Sequence, residues 1–137
     1  MGFGVFCEAR SLELARSGAI WGDVWVDVGG VAVPEAGWND MPVVFLAELL
    51  DAVAEVSRGE GRRRRVRFFD GPFWIDLTGT GDGRVTVSAH GHVAVTVDAR
   101  DLGQSLAAAC AELLHACRAR GWEDHPDVRR LQGGAAG

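Results

Sequence analysis

The sequence contains no lysine and no tyrosine, and isoleucine occurs only at positions 20 and 75. Every basic side chain other than histidine is therefore an arginine, whose planar guanidinium can stack on an aromatic ring or bind a carboxylate through two hydrogen bonds. No apolar run reaches the ~18 residues of a transmembrane helix, and the N-terminus lacks the charged and apolar regions of a secretory signal. We therefore expect a cytoplasmic protein without a membrane partner.

Cysteine is also sparse, with only Cys7, Cys110 and Cys117 in the chain. An odd number of cysteines without a secretory signal indicates reduced thiols. Cys110 and Cys117 lie seven residues apart on a predicted helix, ~10 Å along its axis, which is too far for a disulfide. We interpret all three as small buried apolar side chains.

The rest of the composition is that of a folded protein. Of the 137 residues, 47% are hydrophobic and 24% are charged, which is typical of a globular domain and not of a disordered chain. We expect one domain over residues 1–132 and a flexible glycine-rich tail over residues 133–137.

The charge is unevenly distributed along the chain, although the net charge is only −5. Residues 1–61 hold ten acids and three arginines, whereas residues 62–67 hold five arginines and no acid. An acidic body with one basic segment argues against a nucleic-acid partner, because nucleic-acid binding needs a basic face. It favours a basic protein as the partner of the N-terminal half.

The second half of the chain predicts a four-stranded antiparallel meander, because apolar and polar residues alternate between turn sequences. Residues opposite each other in an antiparallel pair share a face, so the apolar pattern restricts each register. In the first hairpin we expect a two-residue Asp70-Gly71 turn. The pairs are then Phe68 with Phe73 and Val66 with Ile75.

The same register predicts contacts on the other face of this hairpin. Arg65 lies opposite Asp76, which is a pair of complementary charge. Arg67 lies opposite Trp74, which allows a cation–π contact.

The two later hairpins are predicted from the same parity rule. A loop over residues 80–82 sets Leu77 opposite Val85. A three-residue loop over residues 89–91 sets Val87 opposite Val93 and Val85 opposite Val95. The inward face then consists of Val66, Phe68, Phe73, Ile75, Leu77, Val85, Val87, Val93, Val95 and Val97.

The N-terminal half predicts another hairpin, which turns at Gly29-Gly30. Its expected pairs are Val28 with Val31 and Val26 with Val33. Residues 3–16 are expected to be extended, with a bulge or break near residues 8–11, because the apolar parity changes there.

Two helices complete the predicted elements. The first covers about residues 41–57, with Asp40 or Asn39 as its N-cap and Pro42 in its first turn. The second covers about residues 102–120, with Asp101 as its N-cap and Gly121 as its end. The apolar stripes are Val43, Leu46, Leu50, Val53 and Ala54 on the first helix, and Leu102, Leu106, Ala109, Cys110, Leu113 and Cys117 on the second.

These elements predict a two-layer α+β fold. Its antiparallel sheet contains the four-stranded meander and the N-terminal hairpin, and both helices pack on one face of the sheet.

The sequence offers little catalytic or metal chemistry. His90 and His92 have no third ligand at a recognisable spacing, so we interpret them as surface residues and expect no metal or other cofactor. Residues 79–83 are rich in glycine but lead into a strand and not a helix, so we interpret them as a turn and not a phosphate loop. No nucleophile has a base at a recognisable spacing, so we predict no catalytic residues and no enzyme activity.

Five tryptophans in a chain of this length are the most informative surface feature. Trp25, Phe69 and Trp74 lie opposite the predicted core faces of their strands, and the alternative to an exposed patch is a second small core under the N-terminal segment. Trp38 precedes the first helix, where it can pack on the first turn. Interfaces are enriched in tryptophan and arginine. The candidate binding residues are Trp25, Asp27, Trp38, Asp40, Arg65, Arg67, Phe69, Trp74 and Asp76.

Several short segments carry a resemblance to a known class of proteins. They are Trp25-Val26-Asp27-Val28-Gly29-Gly30, Gly37-Trp38-Asn39-Asp40, Arg67-Phe68-Phe69-Asp70-Gly71-Pro72 and Arg120-Gly121-Trp122. Over residues 20–131 the chain resembles small bacterial proteins of the kind that serve as immunity proteins in polymorphic toxin systems. The resemblance implies a cytosolic, non-enzymatic protein that binds a toxin domain.

Three hypotheses for the function follow. The first is a small protein-binding domain, an immunity-type inhibitor that occludes its partner's site. The second is a small-molecule-binding or enzymatic domain that uses the outer face of the sheet. The third is a structural subunit of a homodimer, joined through a sheet edge or the tryptophan-rich face.

Overall fold

The computed structural model describes residues 2–89 and 94–136. The strands in this part of the chain are β1 (Phe3–Leu14), β2 (Ile20–Val28), β3 (Val31–Val33), β4 (Asn39–Asp40), β5 (Arg63–Arg67), β6 (Trp74–Gly79), β7 (Arg84–Ala89) and β8 (Ala94–Asp98). The helices are α1 (Pro42–Val56), α2 (Ala99–Ala119) and α3 (Pro126–Ala136).

The strands form two antiparallel sheets, which confirms the predicted α+β class. In the first sheet β2 pairs with β1 on one side and with both β3 and β4 on the other. The second sheet is the predicted meander, in the order β5-β6-β7-β8. The N-terminal strands therefore build a sheet of their own and do not extend the meander, which corrects the expectation of a single sheet.

The predicted pairs of the N-terminal hairpin and of the first meander hairpin are confirmed. The first sheet pairs Val26 with Val33 and Val28 with Val31. The second sheet pairs Val66 with Ile75, Arg65 with Asp76 and Arg67 with Trp74. The amide of Phe68 donates to the carbonyl of Phe73 at 3.0 Å, in keeping with that register.

The break in β1 is also confirmed. The register of β1 against β2 shifts between Glu8 and Glu13. The Ser11 hydroxyl stabilises the irregularity, because it donates to the Glu8 carbonyl at 2.6 Å and accepts from the Asp23 amide at 2.8 Å. The bulge therefore replaces ladder hydrogen bonds with side-chain ones.

The registers of the two later hairpins are wrong by two residues. Leu77 pairs with Val87 and not with Val85, and Val87 pairs with Val95 and not with Val93. Ala89, predicted as a loop residue, is the last residue of β7 and pairs with Ile75. Residues 90–93, which hold the rest of the predicted loop, lie outside the described residues. A slip of two residues keeps every side chain on its face, so the pattern could not detect it.

The N-caps of both helices differ from the prediction. The N-cap of α1 is Met41, which has no capping side chain, and neither Asp40 nor Asn39 occupies that position. The carboxylate of Asp98 caps α2 by accepting from the amides of Arg100 and Asp101, so α2 begins three residues before the predicted start. Proline in the first turn of α1 and the end of α2 before Gly121 are as predicted.

Helix α1 is buried over more of its circumference than a single stripe. Phe45, Leu49, Ala52 and Val56 are buried in addition to most of the predicted positions, whereas Ala54 is exposed. The reason is that α1 packs against β2, β5, β6, α2 and α3 at once.

The buried residues of both sheets and all three helices belong to one hydrophobic core. Helix α2 packs on β1 and β8, so together with α1 it covers one face of each sheet. Side chains alternate across each strand, so the other face of each sheet is left for solvent and partners. No helix in the described residues is long and apolar enough to cross a membrane.

Helix α3 was not predicted. It continues through Gly133 and Gly134 to Ala136, where the sequence predicts a flexible tail. Val128 and Leu131 are fully buried, and the Arg130 guanidinium lies 3.0 Å from Asp51 and 3.1 Å from Glu48 of α1. Docking on α1 therefore holds a segment whose glycines disfavour a helix.

The substitution Gly133→Ala tests whether residues 133–136 are helical. A Cβ at this position meets no atom within 4 Å, so alanine is free to act through backbone propensity alone. In a helix it should raise the free energy of unfolding in urea by up to ~1 kcal/mol. Gly103→Ala in α2, where a Cβ is also unobstructed, is the matched control. No change with Gly133→Ala beside a gain with Gly103→Ala would contradict the helix.

Candidate functional site

The outer face of the second sheet holds the predicted arginine pair. Arg65 binds Asp76 through two hydrogen bonds, from Nε to Oδ1 at 2.8 Å and from Nη2 to Oδ2 at 3.2 Å. The cross-strand register places the two side chains opposite each other, as predicted.

The Trp74 ring receives the two neighbouring guanidiniums. Arg65 Cζ lies 4.5 Å from the ring centroid, and Arg67 Cζ lies 5.6 Å from it. Trp74 is half-buried, in part because these cations cover it. This face is therefore largely occupied by contacts within the chain.

A second arginine of the basic segment, Arg64, is also paired within the chain. Arg64 points away from Arg65, as strand alternation predicts, and its guanidinium lies 2.5 Å from Glu55 and 4.0 Å from Glu48 on α1. The basic segment therefore contributes less free positive charge than its sequence indicates.

Asp40 is fully buried, although the sequence analysis made it a candidate binding residue. Its carboxylate accepts four hydrogen bonds, from Trp38 Nε1 at 3.0 Å and from the amides of Met41 at 2.7 Å, Phe69 at 3.1 Å and Asp70 at 3.0 Å. A buried carboxylate with this many donors is satisfied within the protein. Asp40 is therefore a structural residue.

Trp38 and the β5–β6 connection are organised around this carboxylate. The Trp38 ring packs edge-on against Phe73 at 5.2 Å, and it is half-buried. Residues 69–72 lie outside the strands, and two of their amides bind Asp40, so the expected two-residue hairpin turn does not form. Phe69 is 50% exposed and stays available to a partner.

The outer face of the first sheet carries a second set of aromatic and acidic side chains. Phe6 on β1 stacks on Trp25 on β2 with ring centroids 5.5 Å apart and planes 14° apart. Phe6 is 46% exposed, and Trp25 is half-buried. Around them the register collects acids from both strands. We call this surface the acidic aromatic face; it consists of Phe6, Glu8, Glu13, Trp21, Asp23, Trp25 and Asp27.

The carboxylates of the acidic aromatic face belong to Glu8, Glu13, Asp23 and Asp27. In the part of the chain that the structure describes, none of them makes an ion pair. Glu8 lies directly opposite Asp23 in the ladder. The Asp23 carboxylate accepts only a long 3.5 Å contact from Asn39, and Asp27 accepts from the Gly30 amide at 2.8 Å. Arg10 is exposed on β1 between Glu8 and Glu13, so the face holds one cation beside four carboxylates and is negative on balance.

The structure divides the predicted patch between two sheets. Trp25 and Asp27 lie on the first sheet, whereas Arg65, Arg67, Trp74 and Asp76 lie on the second. The sequence analysis did not identify Phe6, Glu8, Glu13, Trp21 or Asp23. The alternation of Trp21, Asp23, Trp25 and Asp27 along β2 could have revealed two of these five residues, Trp21 and Asp23. The residues of β1 join the face only through the register of β1 against β2.

A cavity of about 190 Å³ lies between β1 and α2, lined in part by Cys7, Ala9, Ala109 and Leu113. Burial, reinforced by nearby Cys110 and Glu112, raises the pKa of the Cys7 thiol to about 12. Burial also raises the pKa of Cys110 to about 11. These thiols are protonated at neutral pH and are poor nucleophiles.

Metal chemistry has no basis in the residues described. Within 2–89 and 94–136 no group of three or more metal-ligating side chains comes together. His90 and His92 lie outside those residues. The glycine-rich segment connects β6 to β7, so it is the predicted turn.

No family model, curated protein or solved structure matches the chain. The assignment of a function therefore depends on the chemistry of its own surfaces.

The substitution Asp40→Asn tests the anchoring role of this carboxylate. An amide would place its own N–H groups against backbone donors, so we expect the free energy of unfolding to fall by about 2–4 kcal/mol. Urea unfolding measures the effect. Asp70→Asn, at an exposed position on the same connection, should change it by less than ~0.5 kcal/mol. Equal effects of the two substitutions would exclude the anchor.

The raised pKa of Cys7 predicts slow alkylation in the folded protein. At pH 8 iodoacetamide should modify Cys7 at least ~100-fold more slowly than it modifies the urea-unfolded chain, because little thiolate is present. The unfolded thiol titrates near its ordinary value of 9.0 and the folded one near 12. Between these values the unfolded chain releases a proton that the folded chain retains, so stability should fall as pH rises through this window. Peptide mapping that finds equal rates would refute the prediction.

Proposed function

We propose that this protein is a cytoplasmic, immunity-type inhibitor that binds a toxin domain and occludes its active surface. The observation that supports the proposal is the acidic aromatic face, where four carboxylates that make no ion pair with any described residue surround partly exposed rings. The partner of such a face is a protein with a basic, concave site.

The carboxylate pair of Glu8 and Asp23 supports a role in binding. Like charges directly opposite each other in a sheet lower its stability. Natural sequences accept such local costs mainly at functional sites. A cationic partner would remove this repulsion on binding, so part of the binding free energy would come from the relief of repulsion within the sheet.

The rings supply the apolar part of the surface. Phe6 is 46% exposed and stacks on Trp25, so the two rings form a preorganised apolar element. Large aromatic side chains near the centre of an interface contribute most of its binding energy. Carboxylates around them would steer a basic partner and determine its orientation.

The second sheet leaves this negative surface uncompensated. Arg65 pairs with Asp76, and Arg64 pairs with Glu55, so these two cations do not neutralise the carboxylates of the first sheet. The net charge of −5 adds a long-range attraction to basic proteins. The resemblance to immunity-type proteins agrees with a toxin domain as this partner.

The proposal is tested by capture with the full chain from a lysate of the organism that encodes it. The captured protein is then titrated against the parent chain and against the double variant Asp23→Arg/Asp27→Arg. We expect the double variant to bind at least ~100-fold more weakly, because two attractive charges become repulsive.

The matched control is Glu60→Arg/Glu123→Arg, which makes the same change of net charge at exposed positions away from the acidic aromatic face. It should retain binding to within a few fold. A similar loss of affinity with both variants would show that binding depends only on the net charge of the chain, and it would contradict the proposed binding face. If the full chain captures a second copy of itself and no other protein, the homodimer hypothesis is favoured instead.

A further inference from the structure

Strand β2 presents rings and carboxylates in strict alternation on the acidic aromatic face. Trp21, Asp23, Trp25 and Asp27 occupy every second position, and strand geometry separates successive members of this series by ~6.6 Å. All four are half-buried, so the rings lean on the sheet while the carboxylates remain accessible.

We propose, on the basis of the function proposed above, that the partner's occluded site is a channel for single-stranded nucleic acid and that this face imitates the strand. The carboxylates stand in the place of phosphates, and the rings stand in the place of bases. Channels that bind single strands combine a cationic groove along the backbone with side chains that stack on successive bases. The acidic aromatic face offers both complementary elements in one row.

The stacked rings strengthen the comparison. Phe6 and Trp25 lie nearly parallel, 14° apart, with centroids separated by 5.5 Å. They thus present an offset pair of flat apolar plates, like two neighbouring bases. A partner that offers an arginine or an aromatic ring to a nucleobase could make the same stacking contact here.

The second row of acids favours a groove over a flat basic surface. Glu8 lies opposite Asp23, and Glu13 lies opposite Trp21, so negative charge flanks the ring row on the β1 side. The carboxylates alone would provide charge complementarity to a flat cationic surface. The rings between them would then have no contact to make in the complex. The same charge excludes nucleic acid itself as the occupant, because phosphates would be repelled.

The test is competition for the protein that the full chain captures from the lysate. Oligothymidine, oligouridine and poly-L-glutamate are added in separate arms at matched concentrations of negative charge. We expect at least one oligonucleotide to displace the captured protein at a ~10-fold lower charge concentration than polyglutamate. The two oligonucleotide arms distinguish a DNA channel from an RNA channel.

Variants separate stacking from charge. Trp25→Leu retains apolar bulk beside Phe6 but removes the ring, and it should weaken capture at least ~10-fold. Trp122→Leu, at a half-buried ring beside Arg120 and outside the acidic aromatic face, is the matched control and should retain capture. Folding of both variants is checked by urea unfolding, and Phe6→Leu is a second test of stacking on the same face.

Each remaining outcome overturns one of the two proposals. Equal potency of polyglutamate and the oligonucleotides, or no displacement by any of them, would refute the channel while leaving the inhibitor function intact. Retained capture by Trp25→Leu and Phe6→Leu would refute the role of the rings. Absence of any captured protein would refute the inhibitor function itself.

Discussion

The fold depends on one buried carboxylate. Asp40 is completely inaccessible and accepts hydrogen bonds from its own segment and from the amides of Phe69 and Asp70, about thirty positions away. It therefore joins β4 of the first sheet to the first connection of the second sheet, on either side of α1. An unpaired buried charge is costly, so all four donors must be in place together. The relative position of the two sheets is constrained by this requirement.

The two open sheet faces use charge in opposite ways. On the second sheet Arg65 is bound by Asp76 and stacked on Trp74, so its charge is satisfied inside the chain. The planar guanidinium of Arg65 makes both contacts at once, which a lysine ammonium could not do in the same way. On the first sheet Glu8 and Asp23 lie opposite each other, and neither forms an ion pair with an arginine among the described residues. The carboxylates of the first face remain accessible to solvent.

The success of the sequence analysis varied with the kind of constraint. The strand pairing of the first meander hairpin was predicted to the residue, because the Arg65–Asp76 charge pair and the apolar face both favour one register. Its turn was not predicted, because the buried Asp40 binds the amides of Phe69 and Asp70. In the later hairpins valines and threonines repeat, and a slip of two residues changes no face, so Val87 was paired with the wrong valine. Helix α3 was not predicted, because its two glycines lower the helix propensity of the segment. Packing on α1 outweighs this low propensity in the folded chain.

The sequence by itself determined the α+β class, the antiparallel pairing, the inward faces of the strands and the separation of acidic from basic segments. These properties follow from local periodicity and composition, which need no knowledge of distant neighbours. Only the tertiary structure decided that Asp40 is an interior anchor, that the strands divide into two sheets, and that the acids of β1 join the rings of β2. Each of these depends on contacts between residues far apart in the chain, and their geometry is set by the packing of the whole core.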